Sequence, residues 1–76
     1  GVRMAVLASE RDDGIKMSLR AVEPDTVNDI AVLFGGGGHA QAAGCTIHAP
    51  LHEALDQVLA AMKDKLDKTP RPEGRV

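Results

Sequence analysis

The sequence predicts an α/β domain built on a small mixed sheet of about three strands. Three observations carry this. Residues Gly14 to Ala21 alternate in polarity with a period of two, apolar residues recur every three to four positions from Leu51 to Leu66, and Phe34 is followed by four consecutive glycines. The expected sheet is a hairpin plus one crossover strand. Two short helical pieces flank the glycine-rich loop, and one long C-terminal helix covers a face.

Taken in order, Val2 to Ser9 is apolar and β-favouring and reads as the first strand. Glu10-Arg11-Asp12-Asp13-Gly14 carries an Asp-Gly turn signal, so the next strand returns antiparallel. On that second strand Ile15, Met17, Leu19 and Ala21 share one face, and Lys16, Ser18 and Arg20 share the other. A hydroxyl and a guanidinium two residues apart on one strand face can address one ligand. Glu23-Pro24-Asp25-Thr26 predicts a turn into a helix with Asp25 or Thr26 as its N-cap. Val27, Ile30, Ala31 and Leu33 or Phe34 supply that helix's apolar stripe.

The run Gly35-Gly36-Gly37-Gly38-His39 follows. Each glycine costs roughly 0.5–1 kcal/mol relative to alanine in regular structure, so four together call for an offset. Removing Cβ atoms lets backbone N–H groups converge on an anion, and His39 can donate a further hydrogen bond to a phosphate oxygen. His39 to Ala43 reads as a second short helical piece, closed by Gly44 as its C-terminal glycine. The loop would then present a helix N-terminus to a phosphate. It is neither a Walker loop, lacking Lys-Ser/Thr, nor a dinucleotide fingerprint, because it follows a helix rather than a strand. Cys45 to His48 is the third strand, and Pro50 opens a helix that runs to about Lys68 with Leu51, Leu55, Val58, Leu59, Met62 and Leu66 on its apolar face. Residues 1–68 form one domain, and Thr69 to Val76, rich in Pro, Gly and Arg, reads as a mobile tail.

Composition limits the function. The chain has 76 residues, a net charge of −2 and a single aromatic residue, Phe34, so the core is aliphatic and small, and support from another domain or subunit is expected. No excess of Lys and Arg supports a broad nucleic-acid footprint. No residue between Ala21 and Met62 is Lys or Arg, so the cation completing an anion site at the glycines must come from elsewhere, and Arg20 is the candidate. One cysteine means no internal disulfide and suggests a reducing, cytoplasmic setting. No apolar run is long enough for a membrane helix. Cys45 reads as a buried strand residue. His48 and His52, four apart but separated by Pro50, lack an evident third ligand for a metal.

The signature Gly-Gly-Gly-Gly-His39-x-x-Ala42-Ala43-Gly44, with Met17-Ser18-Leu19-Arg20 upstream, resembles the C-terminal, DHH-associated domain of the DHH phosphoesterase family. It is most similar to the branch of short-oligoribonucleotide nucleases and phosphoadenosine-phosphate phosphatases. The resemblance implies that the glycines, Gly35 to Gly38, and His39 contact a nucleotide or its phosphate, with Ser18 and Arg20 binding phosphate from the adjoining strand. It implies further that an N-terminal DHH domain is the partner and holds two divalent metals, commonly manganese, that carry out hydrolysis. No catalytic residue, metal ligand or cofactor site is then expected in these residues, which contain no Asp-His-His segment. Relatives often carry Ser after the Arg, where this chain has Ala21, which removes one hydroxyl contact. The implied ligand is a nucleotide or a short single-stranded oligonucleotide. The rival readings are a stand-alone RNA-binding module and an assembly module that self-associates through its apolar helix.

Overall fold

The computed structural model describes residues 3–68, and the expected mobile tail, Thr69 to Val76, lies outside them. The hairpin forms as its alternation requires: β1 is Met4–Arg11 and β2 is Gly14–Ala21, paired from Met4↔Ala21 to Arg11↔Gly14 around the two-residue turn Asp12-Asp13. There follow α1 (Asn28–Leu33), β3 (Gly37–His39), β4 (Ala42–Ile47) and α2 (Leu51–Lys68). The sheet order is β1-β2-β4-β3 and every neighbouring pair is antiparallel.

The α/β class holds, with four strands in place of about three. The second helical piece expected over His39 to Ala43 is instead the end of β3, a turn at Ala40-Gln41 and the start of β4. A five-residue helix is too short to be stable by itself. As strand, Ala42 and Ala43 pair with Arg20 and Leu19 of β2 on one side and with His39 and Gly38 on the other. Because β2 and β4 run antiparallel, the expected crossover strand is an antiparallel neighbour of β2, and among the described residues the sheet is antiparallel throughout rather than mixed.

The core lies on one face only. Ile15, Met17 and Leu19 from β2 meet Cys45 and Ile47 from β4, Val27, Ile30 and Ala31 around α1, and Ala54, Val58 and Met62 from α2. Met17 and Leu19 are fully buried, each stabilising by about 2 kcal/mol. The stripe on α2 is rotated from its expected centre. Ala54, Val58 and Met62 face the sheet, Leu55 and Leu66 are half-buried, and Leu51 and Leu59 are exposed. On α1, Leu33 is exposed, so the stripe continues through half-buried Phe34.

Neither Asp25 nor Thr26 caps α1: the N-cap position is Val27, with no side-chain capping bond. Both expected caps have stronger partners. The guanidinium of Arg3 donates two hydrogen bonds of 2.6 Å to the Asp25 carboxylate, whose side chain is only 4% exposed. The ammonium of Lys65 donates to the Thr26 carbonyl, to Thr26 Oγ1 at 2.6 Å and to Asp29 Oδ1 at 2.7 Å, fastening α2 to the start of α1. The hydrogen bonds from Arg3 hold the Asp25 pKa below its ordinary value of 3.8, outweighing the upward push of burial. At Asp29 burial pushes upward, and the Lys65 hydrogen bond and charge pull harder, again lowering the pKa.

Removing Arg3 leaves a buried, unpaired carboxylate. Arg3→Ala is expected to cost about 3 kcal/mol in urea denaturation, the low end for a buried pair because Arg3 itself is one-third exposed. Since the folded pKa of Asp25 is depressed, its stabilising contribution is complete above the ordinary carboxylate value of 3.8 and disappears as pH falls through the lower folded value. Urea midpoints measured between pH 7 and pH 2 should therefore fall at the acid end in the wild type. They should fall less in Asp25→Asn, which starts from a lower stability at neutral pH.

Candidate functional site

The face of the sheet away from the helices carries the polar residues. Successive side chains of β2 alternate, so Lys16, Ser18 and Arg20 stand in a row on that face about 7 Å apart along the strand. Residues directly opposite in a paired sheet share a face. Arg20 is in register with Ala42, which is in register with His39. Ser18 is in register with Gly44, which is in register with Gly37. The serine and arginine therefore face the glycine–histidine strand across β4, with only a methyl group and a hydrogen atom projecting between them. Backbones two strands apart lie roughly 10 Å from one another.

This arrangement encloses a shallow depression of about 330 Å³ whose lining includes Lys16, Ser18, Arg20, Gly37 and Gly38 over a floor of small β4 residues. His39 is exposed and stands beside it, across from Ala42, without lining it. Gly35 and Gly36 line a neighbouring depression. Ion pairs among the described residues join Arg3 to Asp25, Lys63 to Asp67, Lys65 to Asp29 and Lys68 to Asp64. Lys16 and Arg20, both exposed, take part in none of them. Two uncommitted cations, a hydroxyl and an imidazole on one open face can receive an anion without first breaking an internal bond.

The glycine loop reaches this geometry differently from the expected helix-terminal nest. Gly35, at φ +83°, is the left-handed residue that ends α1. Its N–H donates to the Val32 carbonyl at 3.0 Å, and the Gly36 N–H donates to the Ala31 carbonyl at 2.8 Å, the paired bonds of a Schellman cap. Two of the four amides are thus committed to α1, and the chain continues into a strand rather than a second helix. Gly36 is required by close approach, since a Cβ there would lie 2.0 Å from the Gly44 carbonyl oxygen. Gly37 differs, because a Cβ added there would meet nothing within 4 Å and would project into open space over the site.

Two participants escaped the sequence reading. Gln41 donates from Nε2 to the Asp25 carbonyl at 2.8 Å and so fixes the β3–β4 turn, a contact between residues with no local signal to join them. Lys16, placed on one strand face with Ser18 and Arg20 but not counted among the candidate site residues, lines the depression. Cys45 is buried, and burial pushes its thiol pKa up, consistent with a packing role. Among the described residues no three His, Cys, Asp or Glu side chains gather as a metal site, His48 and His52 included.

Residues 1–68 match the model of the DHHA1 domain. The chain is also similar to the bifunctional oligoribonuclease and PAP phosphatase NrnA of Thermus thermophilus, with 35% identity over 69 residues. That alignment covers 90% of this chain and 21% of the relative, so the chain spans about a fifth of that protein's length.

The two middle glycines should respond oppositely to the same methyl group. Gly36→Ala forces β4 away from the loop and is expected to lower stability by at least about 2 kcal/mol, within the range for overpacking. Gly37→Ala should change stability by less than about 1 kcal/mol. Thermal unfolding of the two variants beside the wild type measures the difference.

Proposed function

The chain belongs to the DHHA1 domain family, and from that premise we propose that it grips the phosphate of a nucleotide or of a short single-stranded oligonucleotide on behalf of a DHH phosphoesterase. The observation that carries the proposal is the row of Ser18 and Arg20 facing Gly37 and His39 across Ala42 and Gly44. Arg20 offers a guanidinium fork suited to two phosphate oxygens at once. Ser18 adds a hydroxyl, and His39 donates from the far rim. Gly37 keeps a side chain out of the ligand's way, Gly38 lets β3 lie against β4 where a Cβ would come within 2.6 Å of Ala43 Cα, and Gly35 and Gly36 shape the loop that brings them there. The relative's name describes action on oligoribonucleotides and on PAP, and both are small, phosphate-bearing ligands of the kind this face suits.

Hydrolysis, in this reading, belongs to an N-terminal DHH domain that holds two divalent metals, manganese by family resemblance. The role assigned to these residues in this reading is recognition. The reducing, cytoplasmic setting suggested by the lone cysteine belongs to the same proposal. No described helix is long and apolar enough to cross a membrane.

Titration of the chain with a 5′-phosphorylated dinucleotide, followed by calorimetry, tests the assignment. Arg20→Ala is expected to weaken binding roughly tenfold or more, the scale of a lost charge-assisted hydrogen bond. Arg20→Lys should recover only part of that loss, because an ammonium cannot make the bidentate contact. His39→Ala should weaken binding severalfold. Equal affinity in wild type, Arg20→Ala and His39→Ala would overturn the proposal.

A further inference from the structure

A second depression opens beside the first at the edge of β4, where Phe34 and Cys45, both packed with the core, meet Lys16, Gly44, Thr46 and His48. Its lining includes Lys16, Phe34, Thr46 and His48, it measures about 660 Å³, and it shares Lys16 and Gly44 with the depression at Arg20. We infer that it is a second subsite, which takes the next nucleotide of a single-stranded chain whose phosphate is held at Arg20. The inference rests on the phosphate reading above and deepens it, making an oligonucleotide of at least two units the ligand class.

The placement of its donors follows from register. Lys16 pairs with Thr46, and His48 lies two residues beyond Thr46, so by alternation all three belong to the open face. Gly14 corroborates this. It is two residues before Lys16, and a Cβ built on it would lie 3.0 Å from Thr46 Cγ2 and 3.1 Å from His48 Nδ1. The imidazole therefore lies against the glycine on the Lys16 side, in space that another residue would fill. An ammonium, a hydroxyl and an imidazole thus gather at one end of the Arg20–Ser18–Lys16 row, and among the described residues no carboxylate lines either depression.

Phe34 adds the element that a chain of nucleotides needs and a bare phosphate does not. It is the only aromatic residue in the protein. It is half-buried, packing against the core while also lining the depression. Aromatic rings beside a line of cations are the usual means of holding successive bases and phosphates of a single strand. The shallow, open shape also suits a chain lying across the sheet better than a small molecule enclosed within it.

The test compares 5′-phosphorylated mono-, di- and trinucleotides over a range of salt concentrations. In the wild type, affinity should rise with length, and the slope of log K against log salt should steepen by about 0.7 for each added phosphate engaged. His48→Gln and Phe34→Leu should each remove about fivefold from di- and trinucleotide binding while leaving the mononucleotide within twofold, on the scale of one lost polar or stacking contact. Melting temperatures of both variants are measured alongside, and His48, being exposed, serves as the variant least tied to folding. Equal affinity for the three lengths, or an equal loss across all three lengths in both variants, overturns the second subsite. Arg20→Ala separates the two readings. If it weakens every length but the length dependence is absent, the phosphate site stands alone, and if it weakens none, the phosphate site itself fails.

Discussion

One buried carboxylate holds the open face of the sheet in register. The Asp25 side chain takes both hydrogen bonds of the Arg3 fork, its carbonyl takes the amide of Gln41, and its N–H donates to the Val22 carbonyl. Around it the Val27 N–H donates to the Ala40 carbonyl and the Ala21 N–H donates to the Gln41 carbonyl. The start of β1, the end of β2, the approach to α1 and the β3–β4 turn are therefore tied together at one point. A buried ion pair contributes little net stability when its desolvation is counted, but breaking it is costly. Here its consequence is positional, because His39 and Arg20 lie on strands whose ends meet at this knot.

The glycine run follows from the same constraint. With the β3–β4 turn fixed from one side and α1 packed into the core from the other, the chain must leave the helix, reverse and enter a strand within a few residues. Gly35 makes the reversal and Gly36 passes against the Gly44 carbonyl. Gly37 has no such obligation to packing, and that distinguishes it. A residue whose side chain is absent where nothing would obstruct it leaves room for something from outside the fold.

The hairpin and α2 were legible because each declares itself through a local period, of two in Gly14 to Ala21 and of about 3.6 in Leu51 to Leu66. The sharing of one face by Ser18 and Arg20 was legible for the same reason. The β3–β4 hairpin was not. Ala40-Gln41-Ala42-Ala43 favours helix locally, and the preference is overridden by pairing with β2, which lies some twenty residues away in sequence. Asp25 failed in the same way: its local preference is to cap a helix, and a guanidinium 22 residues away outcompetes the helix for it. In both cases a contact distant in sequence reversed a local rule, and both reversals shape the site. The family signature pointed to the candidate residues without indicating that Gly37 to His39 lie on a strand.

On the proposed reading, the charge distribution limits recognition to short range. The chain carries a net charge of −2, so its overall field does not draw in a long polyanion. The acidic residues of α2 lie on the helix that covers the other face of the sheet, and Lys63 and Lys68 are occupied by its own Asp67 and Asp64. Lys16 and Arg20 remain on the open face, separated by four residues of one strand and a distance of about 14 Å. Exposed charges that far apart act nearly independently at physiological salt, where screening extends about 8 Å. On the proposed reading, a ligand gains from both only by spanning the distance between them, which makes the spacing of phosphates along a chain, rather than total negative charge, the feature this face selects.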